Sequence, residues 1–145
     1  MKTTETLVAD IYKMMETKDA DPNVDVEAEI EKFGEGVKAL MRTEFGREKR
    51  KDKRTLRLSN VGRTDRYLWN VVAGTDKEKI DAPTYVKFMY GHLIEEMLLF
   101  LTRLAGHTVT DEQKRCEVEG IRGSMDCKID GVVTDVKSAS SFGFK

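Results

Sequence analysis

The segment from Pro83 to Leu104 constrains the fold more than any other, because its apolar side chains fall all round a helix. Pro83 suits the first helical position and Gly106 a C-terminal stop. At about 100° per residue, Val86, Leu93, Met97 and Leu104 share one face, while Phe88, Ile94 and Leu99 lie on others. A helix apolar on every side is predicted to be buried on most of them. Two acids inside it, Glu95 and Glu96, then require a partner or a function.

After Gly106 the pattern changes to short alternating runs near 107–111, 115–119, 122–129 and 131–138, which read as strands. Glu119-Gly120 and Asp130-Gly131 read as turns between them. Upstream, Leu7, Ile11 and Met14 fall at helical spacing, as do Val26, Ile30, Phe33, Val37 and Leu40. Asp21-Pro22-Asn23 separates these two helices as a turn. Leu58 to Trp69 reads as a glycine-punctuated turn entering a short helix, with Thr64 as its N-cap. The order is helices, a long buried helix, then strands, and the fold class is α/β. Residues 1–57 form a helical region with a basic connector and 58–145 the remainder, together about one compact domain.

Composition narrows the function classes. Apolar residues make up 39% and charged residues 35%, enough of the first for a core and an unusual amount of the second. No apolar stretch approaches the length of a membrane span, and Met1 to Asp10 lacks a signal-peptide pattern. The expected compartment is therefore the cytoplasm, without a membrane partner. Two cysteines, Cys116 and Cys127, cannot supply the four thiolates of a zinc ribbon or an iron–sulfur cluster. The net charge of −1 conceals a strong asymmetry, −6 over residues 1–36, +7 over 37–66 and −2 over 67–145. A basic block in a neutral protein suits a polyanion. Its densest run, Arg47 to Arg54, is equally readable as a solvated linker or helix face.

The chemistry concentrates between Gly123 and Ser138. Asp135 and Lys137, two apart in a strand, point to the same side. Val132, Val133 and Val136 suggest a central, buried strand, where a carboxylate and an ammonium need a partner or a metal. Asp126, at the end of the preceding hairpin arm, brings a second carboxylate, and two such groups with a backbone carbonyl form part of a Mg²⁺ shell. A calcium-binding loop is excluded, because Lys128 and Lys137 stand where oxygen ligands are required. An ordinary hairpin with a solvated Asp135–Lys137 pair remains the plain alternative.

Taken in order, these segments resemble the PD-(D/E)XK nuclease superfamily, in its lambda-exonuclease and RecB-like branch. The resemblance covers roughly residues 58–141. It rests on Gly91-His92-Leu93-Ile94-Glu95 in the helix, on Gly123-Ser124-Met125-Asp126 entering a D-G hairpin, and on Asp135-Val136-Lys137-Ser138. Ser59 to Trp69 is similar to the upstream entry of the same branch, without the cysteine of its iron–sulfur members. The resemblance implies a restriction-endonuclease-like core with a mixed β-sheet.

It further implies that Glu95, Asp126 and Asp135, with the Val136 carbonyl, hold one or two Mg²⁺ or Mn²⁺ ions, and that Lys137 acts on the attacking water. The implied partner is DNA, as a duplex end or a single strand, met by Arg63, Arg66, Ser138 and Arg54. Glu96 is the rival of Glu95 for the helical ligand, whereas His92 reads as a core or cleft histidine and Trp69 as core. The family continues beyond its third motif into a further helix, whereas this sequence stops at Lys145. The core is therefore expected to be incomplete at its C-terminus, with a homo-oligomer or a complementing C-terminal chain as partner. The competing function is a nucleic-acid-binding chain, or half of a split nuclease, without activity of its own.

Overall fold

The computed structural model describes residues 2–46, 55–75 and 80–137. Four helices precede five short strands, a mixed α/β arrangement. Helix α1 spans Leu7–Thr17 and α2 Val26–Phe45. The Asp25 side chain caps α2 by accepting the Ala28 N–H at 3.1 Å. A short 3₁₀ turn, Leu58–Asn60, leads through Gly62, at φ 82°, into α3, Asp65–Ala73. Thr64 caps α3 as expected, accepting from Tyr67 N at 3.4 Å. Helix α4 spans Ala82–Leu104, with Asp81 as its cap and Pro83 in its first turn. It stops at Gly106, whose φ of 81° and close contact with Asp21 exclude a side chain.

Strands β1 (Val109–Thr110), β4 (Cys127–Ile129) and β5 (Val132–Thr134) form an antiparallel sheet in the order β1-β4-β5. Strands β2 (Arg115–Val118) and β3 (Ile121–Ser124) form a separate hairpin. Both hairpins turn on the two residues expected. Glu119 and Gly120 have φ of 50° and 79°, and Asp130 and Gly131 50° and 82°, the doubly left-handed turn that matches strand twist.

The structure corrects the expected strands in two places. Residues 122–129 are two strands, broken at Met125-Asp126. Met125 N donates to Lys114 O at 3.1 Å and Gln113 N to Asp126 O at 2.7 Å, so the loop before β2 satisfies this link in place of a ladder. The second correction concerns β5, which ends at Thr134 and lies at the sheet edge, with Val132 and Val133 52% and 62% exposed. Among the described residues it is not the central strand expected from Val132, Val133 and Val136. Nor is a mixed sheet present among the described residues, where the parallel pairing is a single bridge between Arg57 and Arg122. There Leu58 packs directly on Gly123, where a Cβ would collide with it.

The core has two parts, one on either side of the end of α4. Met14, Leu104 and Ala105 pack with Ile11, Val24, Phe100 and Leu101. Leu99, Cys127 and Ile129 pack with Leu7, Val109 and Val136. Cys127 is fully enclosed, and burial pushes its thiol above its ordinary pKa, whereas Cys116 is half-buried. Arg103, also buried, binds Glu29 on α2 at 2.5 Å and Glu112 at 3.2 Å. His107 lies between α1 and the β4–β5 turn, its Nδ1 hydrogen-bonded to Asp130 at 2.7 Å and its Nε2 3.2 Å from Asp10 without hydrogen-bond geometry.

Helix α4 departs from its expected burial. Its last turns are covered, but Tyr85, Phe88 and Tyr90 are more than half exposed. Helix α2 reaches α4 at Phe33–Phe100 and at Gly36–Glu96, and the sheet meets it at Leu99.

Candidate functional site

The candidate site forms where the β3–β4 link, the end of β5 and the middle of α4 meet. Asp126 is held by its backbone, since its carbonyl accepts Gln113 N–H at 2.7 Å. Its carboxylate in turn accepts the Val136 N–H at 3.1 Å, which fixes the chain leaving β5 against the β3–β4 link. The Asp135–Lys137 motif, which begins nine positions after Asp126, is thereby brought to its side. Asp135 Oδ2 and Lys137 Nζ lie 2.6 Å apart. The hydrogen bond from Lys137 holds the Asp135 carboxyl below its ordinary pKa, and slight burial opposes this while a hydrogen bond with Asp126 adds to it. Reciprocally, Asp135 raises the Lys137 ammonium, first by that hydrogen bond and then by its charge.

Glu95 reaches this group through one intermediary. Gln113 Nε2 donates to Glu95 Oε1 at 2.7 Å, while the backbone N–H of the same glutamine holds Asp126. Gln113 adopts φ 49°, a left-handed conformation that residues other than glycine seldom take. Its position follows from loop geometry 18 residues away from Glu95, and no local pattern around Gln113 signals it. Glu96 points the other way, onto Gly36 of α2. Burial, then repulsion from Glu112 and Glu95, pushes the Glu96 carboxyl above its ordinary range.

Other expected site residues fall elsewhere. Asp135 and Lys137 are 59% and 79% exposed, so their pair is solvated and carries little net energy. Their charges stay hydrated, so no desolvation cost demands a metal or a further partner there. His92 is exposed, 3.8 Å from Glu95, and does not line a core. Trp69 is exposed as well, because the described elements place nothing over that face of α3. Arg63 and Arg66 are exposed at the start of α3, with the Arg63 guanidinium 5.4 Å above the Tyr67 ring. Arg54 and Ser138 lie outside the described residues.

A hard divalent ion suits the Asp126–Asp135 pair. Mg²⁺ binds through one or two carboxylates and retains waters for exchange with phosphate oxygens. Glu95 does not join them, since Gln113 engages it, and no group of three or more His, Cys, Asp or Glu is gathered to share an ion among the described residues. Also among them, no helix is long and apolar enough to cross a membrane. Comparison with models of known protein families, with curated proteins and with solved structures finds no match for this chain.

Proposed function

We propose that the chain is a metal-dependent deoxyribonuclease of the PD-(D/E)XK type, an exonuclease of phage-type recombination or DNA processing. The observation that carries this reading is the convergence of three separate segments through Gln113 and Asp126. One glutamine contacts both Glu95 and Asp126, and Asp126 grips the backbone between Asp135 and Lys137.

Asp126 and Asp135 would hold the ion, and a bound Mg²⁺ or Mn²⁺ would neutralise phosphate charge and acidify a coordinated water. Glu95 orients Gln113, which in turn fixes the Asp126 backbone. Lys137, its pKa raised by Asp135, is an ammonium at neutral pH. Its ammonium would donate hydrogen bonds to a phosphate oxygen or the attacking water. The test is cleavage of labelled duplex and single-stranded DNA with and without Mg²⁺. Asp135→Asn and Lys137→Ala should each lower the rate by about 10²-fold or more while leaving the thermal midpoint in place. Undiminished cleavage in both variants would move the active site elsewhere.

A second reading, a nucleic-acid-binding chain without activity, is favoured by the engagement of Glu95 with Gln113. Salt-sensitive DNA binding with no product at any divalent concentration would select it.

A further inference from the structure

A groove of about 610 Å³ runs between the Leu58–Asn60 turn and the β2–β3 hairpin. Arg57, Arg115 and Arg122 line it, together with the polar side chains of Ser59, Ser124 and Gln113. Two features of the chain assemble it. The Arg57–Arg122 bridge lays the 3₁₀ turn along β3, and Gly123 lets Leu58 close down on the hairpin. The register of that hairpin sets Arg115 opposite Ser124 and Glu117 opposite Arg122, so all four project from one face.

The charge of the groove is one-sided. Glu117 pairs with Arg122 at 3.1 Å, in solvent, but no acid is among the lining residues. Gln113, which also lines it, is the residue that touches both Glu95 and Asp126. The groove and the candidate carboxylates therefore share this glutamine as a common wall.

We propose that this groove is the track for the sugar–phosphate backbone of a single DNA strand approaching those carboxylates. The proposal deepens the nuclease reading and rests on it for the direction of the strand. Arginine offers a planar fork that matches phosphate oxygens, and serine hydroxyls and an amide complete a phosphate-binding set. None of the described lining residues is aromatic, so bases have nothing to stack on and recognition is of the backbone alone. The volume lies within the range that encloses a drug-sized ligand, about 300–1,000 Å³, and suits a few nucleotides of one strand and not a duplex.

The experiment measures affinity of the full chain for a labelled oligothymidylate and for a mixed-sequence oligonucleotide, in EDTA, between 50 and 200 mM salt. Each lost phosphate contact lowers the slope of log K against log salt by about 0.7 for a single strand. Arg57→Ala with Arg115→Ala should therefore weaken binding and flatten the slope by about 1.4, for both probes alike. Arg57→Lys with Arg115→Lys should keep the slope. Unchanged affinity and slope in the alanine pair would overturn the groove, as would duplex binding that is tighter than single-strand binding and equally sensitive to the pair. Cleavage by the native chain is scored separately. If the arginine pair controls binding but nothing is cut, the groove stands and the nuclease reading falls. If DNA is cut normally by the alanine pair, the reverse holds.

Discussion

The two ends of α4 both carry large apolar side chains and end in opposite environments. Leu99, Thr102, Arg103 and Leu104 are buried, whereas Tyr85, Val86, Phe88 and Tyr90 stand in solvent. The difference arises from what each end meets. Helix α1 packs on the last turns through Met14, and the sheet through Cys127 and Ile129. No comparable element covers the first turns among the described residues. An apolar periodicity reports the capacity of a helix to be buried, and its neighbours decide how much of that capacity is used.

Paired truncations give the largest expected contrast. Leu99→Ala should cost about 2–5 kcal/mol in urea unfolding, the usual price of emptying a packed aliphatic site. Phe88→Ala, on the open end, should change stability by no more than about 0.5 kcal/mol. Equal losses would mean that the first turns are covered in solution and would erase the contrast.

A smaller effect lies at the boundary between the ends, at Glu96. Its folded pKa is raised, so ionising it opposes folding. The favourable contribution is complete below the ordinary carboxyl value of 4.5 and is lost as pH rises through the higher folded value. Glu96→Gln should therefore raise the thermal midpoint at pH 7 and give little gain at pH 4. A gain that did not depend on pH would assign the effect to packing on Gly36.

Much of this architecture was legible where local chemistry sets it. Thr64, Pro83 and Gly106 marked helix ends correctly because capping acts over a few residues. The two hairpin turns were legible for the same reason, since a residue followed by glycine readily takes two left-handed conformations. Failures came where distant segments decide. The run 122–129 looks continuous, and it breaks only because Lys114 and Gln113 satisfy the link from outside. Val132, Val133 and Val136 could not reveal that, among the described residues, β5 lies at the sheet edge. At the candidate site, Asp126, Asp135 and Lys137 were singled out by spacing and resemblance, whereas Gln113 and the groove arginines belong to a loop and a hairpin packed together by tertiary contacts.

The contrast between the two cysteines equips the chain with an internal gauge of its own opening. Cys116 sits at partial depth on the β2–β3 hairpin, whereas the sulfur of Cys127 is sealed in the sheet behind Leu99. Alkylation requires the thiolate, which burial disfavours at Cys127. Under a mild alkylating reagent, labelling of the first thiol times the exposure of an outer hairpin, and the lag before the second times the parting of α4 from the sheet. Mass spectrometry of one untagged polypeptide would then resolve a peripheral opening from a global one.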